Sequence, residues 1–315
     1  MNFDLNEEQS EIRDMVRRFT EQEITPHAEA WDEQHHFPRE VFQQMGELGL
    51  MGMTTPESYG GSELPRLTAA LVYEELAKGD MATAVGLSVH NMVTGTLARF
   101  GGEEQRERWV RQLAAGKLLA AFSLSEAEAG SDAASLQCRA ERQDDTYVIN
   151  GTKMWVTNGG EANIYLLMAR TRPGAGAAGI SSFVVEKGTP GFSFGKTERK
   201  MGLHSSPTRE LIFDACTIPA ANRVGEEGQG LKIALSSLDS GRVNIGAVAV
   251  GVAQAAFETA CNYSRERRQF GHPISSFEAI QFMLADMAMQ IEASRLLVYK
   301  AASKLDAGQS AGRNA

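Results

Sequence analysis

Residues 146–157 read TYVINGTKMWVT, and this stretch decides how the middle of the chain folds. Runs rich in β-branched and aromatic residues lie on both sides of Asn150 and Gly151, which predicts two strands joined by a tight type I′ turn. Similar short segments, bounded by Gly, Asn and Pro, fill residues 119–226. Because no long helix alternates with them, we expect an antiparallel sheet or barrel rather than a parallel α/β sheet.

The sequence on either side of this region has helical periodicity. Asn6 and Gln9 have the spacing of a capping box, and Gly308 has the position of a helix C-cap. Helices are predicted over residues 67–77, 81–100 and 103–114, after Gly230, and again after a break at Gly271 and Pro273. The fold class is therefore α+β, with an N-terminal helical domain over 1–118, a middle β domain over 119–226 and a C-terminal helical domain over 227–315.

Composition excludes several classes of protein. The net charge of −9 argues against nucleic acid as a main partner. The three cysteines are far apart in sequence, so free thiols in a reducing compartment are expected rather than a disulfide framework or a metal knuckle. The N-terminus shows no signal peptide, and the longest apolar stretch, residues 245–257, is too short for a membrane span. We expect a cytoplasmic protein.

Three motifs have residues found in known nucleotide or metal sites but lack the surrounding sequence that those sites require. Residues 174–179 spell GxGxxG, but a strand-like run follows them where a dinucleotide site requires a helix, so a hairpin loop is predicted. Residues 191–197 resemble a P-loop with glycines too close together and no helix after them. His35 and His36 lack a third ligand, so no metal site is expected.

Two other motifs are better candidates for a functional site. Residues 122–132, FSLSEAEAGSD, place serine hydroxyls on a strand that enters a Gly-Ser-Asp turn, which can aim backbone amides at an anion or can be an ordinary strand end. Residues 153–160, KMWVTNGG, place Trp155 and Thr157 on one face of a strand. An aromatic plane beside a hydroxyl suits a flat heteroaromatic ligand, although a core tryptophan beside a surface threonine has the same pattern.

The two motifs, their spacing and the α-then-β-then-α layout together resemble the FAD-dependent acyl-CoA dehydrogenases, over almost the whole chain. Residues 100–105, 225–230 and 267–271 add supporting matches. The resemblance implies a helical N-terminal domain, a β domain and a C-terminal four-helix domain. It also implies FAD as cofactor, α,β-desaturation of an acyl-CoA in fatty acid β-oxidation, an electron-transferring flavoprotein as electron acceptor, and a homotetramer.

The resemblance also assigns roles to residues at matching positions. Ser131, Asp239 and Arg242 would contact the acyl-CoA. Arg267 and Gln269 would reach the FAD of a neighbouring subunit. The full set of expected cofactor-binding residues is Phe122, Leu124, Ser125, Gly130, Ser131, Trp155, Val156, Thr157, Arg267, Gln269 and Glu278.

The sequence departs from the family pattern at the catalytic base. The usual glutamate follows the third long C-terminal helix, and the alternative position is occupied here by Gly241. The nearby carboxylates Glu126 and Asp239 match positions that the family does not use as the base. We therefore expect a chain that lacks the C-terminal part of the family domain and the catalytic glutamate, and that is inactive as a fragment.

Three further expectations follow from the same resemblance. Glu278 stands where a glutamine usually helps to hold FAD, which weakens that contact. The Ser240-Gly241 pair before Arg242 resembles members that act on short or branched acyl-CoA thioesters. The alternatives are a non-catalytic relative that binds FAD or CoA, and an acyl-CoA oxidase of the same fold.

Overall fold

A computed structural model of the chain describes residues 4–309. The described chain divides into two compact units. The helical unit comprises the described parts of residues 1–28, 65–84 and 242–315, and the sheet unit comprises residues 29–64 and 85–241. The division into domains at residues 118 and 226 stays a prediction.

Helices occupy both ends of the described chain. The α-helices are α1 Glu7–Phe19, α2 Ala28–Gln34, α3 Arg39–Glu47, α4 Arg66–Gly79, α5 Met81–Phe100, α6 Glu103–Gln105, α7 Arg111–Ala114, α8 Gly230–Glu266 and α9 Glu278–Asp306. Short π-helical segments follow α1 at Thr20–Ile24 and α6 at Arg106–Val110. The predicted capping box is present, since Asn6 and Gln9 each bond the other's backbone N–H.

The middle of the chain forms strands. They are β1 Ala120–Ser123, β2 Arg139–Gln143, β3 Thr146–Thr157, β4 Ile164–Arg170, β5 Ile180–Glu186, β6 Phe192–Thr197, β7 Thr208–Pro219, β8 Arg223–Val224, β9 Arg268–Gln269 and β10 His272–Pro273. The main sheet has the order β6-β7-β3-β2-β4-β5-β8, with β1 added on β4. Most pairs are antiparallel, as predicted, while β1 and β2 each pair with β4 in parallel. The GxGxxG segment is the hairpin loop between β4 and β5.

The predicted turn at Asn150 and Gly151 is wrong. β3 continues through both residues, and its pairing with β7 shifts register there, which is a bulge rather than a reversal. The Asn150 side chain accepts a hydrogen bond from the Ala215 amide at 2.9 Å, and a Cβ on Gly151 would lie 2.8 Å from the Cys138 Cα. Gly151 therefore allows close packing of the strands, and the Asn-Gly pair lies at a bulge. Both features favour the same residue types as a tight turn.

In the helical unit, α4 is the central element, and residues 68–77 are all buried. Two adjacent glutamates of α4 have different partners. Glu74 accepts hydrogen bonds from the Arg295 guanidinium and the Tyr299 hydroxyl, each at 2.9 Å. Glu75 is held by Arg17 of α1 at 3.0 Å and by Lys78 at 2.9 Å. Each buried carboxylate is thus paired with a cation, which such a position requires.

The two long helices carry further apolar surface. By length and composition α8 could cross a membrane, contrary to the expectation from the sequence, but a core helix of a water-soluble protein passes the same test. α9 exposes large apolar side chains in the helical unit, namely Phe282, Met283, Met289, Leu296 and Leu297. An exposed apolar set of this kind is typical of a face that packs against another surface.

Candidate cofactor site

The two motif segments of the sequence lie side by side in the sheet unit. The Met154 amide donates a hydrogen bond to the Ser125 carbonyl at 2.9 Å. The Lys153 ammonium donates to the Leu124 carbonyl at 2.8 Å. Consecutive residues of one segment therefore hold consecutive residues of the other, and the predicted convergence of residues 122–132 with 153–160 is present.

A buried ion pair reinforces this junction. Lys153 Nζ lies 2.7 Å from Glu126 Oε1, and the lysine side chain is completely buried. The same carboxylate accepts hydrogen bonds from the amides of Gln137 at 2.6 Å and Cys138 at 2.9 Å. Burial holds the pKa of Lys153 below its ordinary value, although the nearby Cys138 and Glu126 oppose this effect.

Trp155 is not a core residue. Its side chain is 52% exposed, whereas Val156 beside it is buried and Thr157 is half-buried. Its φ of +56° is rare for an aromatic residue, and it falls where the pairing of β3 with β7 shifts between Lys153 and Val156. The bulge therefore turns a large aromatic side chain toward solvent, where it is available to a ligand.

Both motif segments carry hydroxyl groups that are open to a ligand. Within residues 4–309 the hydroxyls of Ser125, Ser131 and Thr157 have no hydrogen-bond partner. Gly130 and Ser131 are exposed, and a Cβ on Gly130 would meet no atom within 4 Å. An exposed indole, open donors and an open glycine turn fit the ring and the phosphates of FAD.

Some predicted residues differ from the expected pattern. The Ser123 hydroxyl is buried and has no hydrogen-bond partner among the described residues, so it is not presented beside Ser125. The side chains of Leu124 and Val156 are also buried, and Phe122 is half-buried. In the first motif, the exposed residues are Ala127, Glu128 and the three residues of the Gly-Ser-Asp turn.

Several residues that sequence reasoning missed support the site. Arg170 donates to the carbonyls of Ala134 at 2.7 Å, Leu136 at 3.0 Å and Gly176 at 3.0 Å, and so anchors the segment after the Gly-Ser-Asp turn. His90 Nδ1 accepts from the Ala120 amide at 3.1 Å, and burial lowers the pKa of His90 to about 4. An arginine on a strand and a histidine in a helix carry no local signal for these roles.

The remaining predicted residues lie on α8, α9 and the hairpin before α9. In the sheet unit, Asp239 is half-buried. In the helical unit, Arg242, Arg267, Gln269 and Glu278 are exposed.

Gly241 stands at one position where the family can place its base, and it is buried in the sheet unit. A Cβ there would lie 2.9 Å from the Met92 sulfur, so the site is too tight for a larger residue without movement of Met92.

In sequence, the sheet with its exposed indole stands between helical segments, which is the α-β-α order of one class of flavin-binding oxidoreductases. Models of the acyl-CoA dehydrogenase N-terminal, middle and C-terminal domains match residues 6–117, 121–216 and 228–315. The chain belongs to the acyl-CoA dehydrogenase family.

Related proteins cover nearly all of the chain. Isobutyryl-CoA dehydrogenase of Dictyostelium discoideum is 42% identical over 96% of this chain and 73% of its own length. Butyryl-CoA dehydrogenase of Megasphaera elsdenii is 43% identical, with a TM-score of 0.95 over 98% of this chain and 82% of that structure. A chain in the structure titled electron transferring flavoprotein of Acidaminococcus fermentans is 44% identical, with a TM-score of 0.97 over 99% and 82%.

The comparisons confirm some expectations and not others. FAD is the cofactor, as predicted, and the related PigA has been solved as its FAD complex. The expectation that the chain lacks the C-terminal part of the family domain is not supported, because the C-terminal model matches residues 228–315. The comparisons likewise give no support to a missing catalytic glutamate or to an inactive fragment.

Proposed function

We propose that the protein is an FAD-dependent acyl-CoA dehydrogenase that acts on short or branched acyl-CoA thioesters. The hydrogen-bonded junction of Ser125 with Met154, beside the exposed Trp155, is the observation that carries this proposal. The names of the isobutyryl-CoA and butyryl-CoA dehydrogenases support the substrate class. When bound, FAD would supply the hydride acceptor for removal of the β-hydrogen.

The residues around the junction would have separate tasks. Trp155 would pack against the isoalloxazine ring, and the Thr157 hydroxyl would donate a hydrogen bond to the ring edge. Ser125 would bond the same edge from the other segment. Gly130 and Ser131 would approach the phosphates and the thioester ligand, because this turn is exposed and unobstructed.

The base that removes the α-proton is neither of two residues near this region. Gly241 has no side chain. Glu126 accepts hydrogen bonds from Lys153 and from two backbone amides, so its carboxylate is already committed to structural contacts. An anaerobic titration of the flavin with acyl-CoA thioesters tests the expectation that the chain by itself is inactive.

The finer family roles remain part of this proposal. Asp239 and Arg242 would contact the acyl-CoA, and Arg267 and Gln269 would reach the FAD of a neighbouring subunit of a tetramer. The guanidinium of Arg267 suits a pyrophosphate, whereas the carboxylate of Glu278 would be a poor partner for it. An electron-transferring flavoprotein in the cytoplasm would accept the electrons.

The test is an anaerobic titration of the flavin-loaded protein with acyl-CoA thioesters of different length and branching. We expect the yellow absorbance to bleach with isobutyryl-CoA or butyryl-CoA and much less with long-chain thioesters. Retained flavin without bleaching, together with no exchange of the α-proton in heavy water, indicates a relative that only binds FAD or CoA. Peroxide production in air without an added acceptor indicates an oxidase.

A variant pair tests the placement of the flavin. Trp155→Ala should weaken FAD binding by about two- to twelvefold, since aromatic stacking contributes about 0.5–1.5 kcal/mol. Trp31→Ala, which changes another tryptophan of the sheet unit, is the control and should bind FAD like the unchanged protein. Equal affinities for all three proteins would remove Trp155 from the site.

A further inference from the structure

The Lys153–Glu126 pair is unusual because it is buried. Its lysine side chain is 0% exposed and its glutamate side chain 10%, whereas Arg39–Glu161, another ion pair of the sheet unit, is 43% and 38% exposed. Desolvation of two charges can offset all of their attraction, so a buried pair is weak evidence for a gain in stability. A role beyond stability is therefore worth seeking in what the two side chains hold.

The contacts of the pair all lead to the backbone of the candidate site. Lys153 bonds the carbonyl of Leu124, while Glu126 bonds the amides that begin the return from the Gly-Ser-Asp turn, at Gln137 and Cys138. Within the turn segment, Glu126 and Ala129 also exchange backbone hydrogen bonds at 3.0 and 3.2 Å. The pair therefore ties together the entry to the turn, the exit from the turn, and the strand that carries Trp155.

We propose that Glu126 and Lys153 are positioning residues of the cofactor site, which fix the spacing between Ser125 and Trp155. This inference depends on the proposed function, because the spacing matters only if a flat ring occupies it. Neither side chain touches the cofactor. The ammonium is fully enclosed, and both carboxylate oxygens are occupied by backbone and lysine donors.

The geometry explains why the ion pair would suit this task. The amide bond from Met154 to Ser125 fixes one point of contact between the segments, and a single hydrogen bond allows rotation about it. The Lys153 bond to the adjacent carbonyl adds a second point, and Glu126 prevents the lysine from turning away. Two points fix an orientation, and small errors of orientation at a reactive ring cause large losses of rate.

The test compares Lys153→Met, Glu126→Gln and the double variant. Each single variant leaves one buried group without its charged partner and should lower the temperature of thermal unfolding. The double variant leaves no unpaired charge and should recover part of that temperature, although one backbone amide and the Leu124 carbonyl lose their side-chain partners. The exposed pair supplies the control, Arg39→Met with Glu161→Gln, in the same unit.

Two cofactor measurements separate positioning from stability. We expect the double variant to bind FAD about tenfold more weakly than the unchanged protein, with altered visible circular dichroism of the bound flavin, even where its unfolding temperature is restored. The control pair should change neither quantity. In turnover, kcat should fall in the double variant while the KM for acyl-CoA stays unchanged.

The outcomes decide the inference in each case. If the double variant recovers FAD affinity and the flavin spectrum together with its unfolding temperature, the pair is only structural and the inference is wrong. If a single variant does not fold, the double variant alone decides. If the unchanged protein binds no FAD, the proposed function fails first, which is distinguishable because no variant is involved.

Discussion

Replacement of Gly251 by alanine should destabilise the helical unit, because α8 lies close to the backbone of α4 at this glycine. A Cβ at Gly251 would lie 2.2 Å from the carbonyl oxygen of Glu74 and 3.0 Å from the Ala77 Cβ. The obstructing oxygen belongs to the backbone of a buried helix, so a cost at the upper end of the range for overpacking, about 3 kcal/mol, is expected. Alanine recovers about 1 kcal/mol of helix propensity, which leaves a net loss of about 2 kcal/mol.

Gly246→Ala is the matched control on the same helix. Its Cβ would meet the Val298 Cγ2 at 3.0 Å, and that methyl group belongs to a side chain that can adjust. The helix-propensity gain of about 1 kcal/mol should then leave this variant as stable as the unchanged protein or slightly more so.

Urea unfolding of the three proteins at one concentration measures the difference, which should be about 2–3 kcal/mol between the two variants. If Gly251→Ala unfolds at the same urea concentration as Gly246→Ala, the close approach of α8 to α4 does not exist.

Three other predictions concern the sheet unit. The hydrogen bond from His204 to Asp32 raises the pKa of His204 above 6.5 and lowers the pKa of Asp32 below 3.8. The pair therefore stabilises the fold between these two pH values, and this stabilisation is lost as the pH rises through the histidine pKa or falls through the aspartate pKa. In urea unfolding, His204→Gln should lose more stability at about pH 5.5 than at about pH 8.5. Burial raises the pKa of Cys138 to about 12, so a thiol reagent should leave it unmodified in the native protein, and early labelling detected by peptide mass would contradict its burial. Arg170→Lys should speed amide hydrogen exchange in residues 133–138, because lysine cannot reach all the carbonyls that the guanidinium bonds; unchanged exchange would show that Arg170 does not anchor this segment.

Much of the architecture was predictable because it depends on local patterns. The helix over residues 81–100 was predicted with its observed bounds, since its start and end are marked in the sequence. The hairpin loop at residues 174–179 was predicted because a strand-like run follows it. The predicted turn at Asn150 and Gly151 was wrong because the same two residues also suit a bulge. Only the pairing with the neighbouring strands β2 and β7 distinguishes a turn from a bulge.

The candidate site was predictable only in part. The pairing of Trp155 with the first motif follows from the family resemblance, and the exposure of this side chain agrees with it. The hydrogen bond from Lys153 to Glu126 was not predictable from the sequence. The two residues are 27 positions apart, and lysine and glutamate are usually exposed on the surface. Such a contact depends on how strands cross in space, which no local pattern specifies.

The adjacent glutamates of α4 have a consequence for how the helical unit avoids misfolding. Because α4 is buried on every side from residue 68 to 77, it has no apolar stripe that would select one rotation about its axis. Successive helical residues point about 100° apart, so Glu74 faces Arg295 while Glu75 faces Arg17. If α4 packed one residue out of register, at least one carboxylate would face a neighbour that is not its cation. The two ion pairs therefore favour a single rotation and register of the helix.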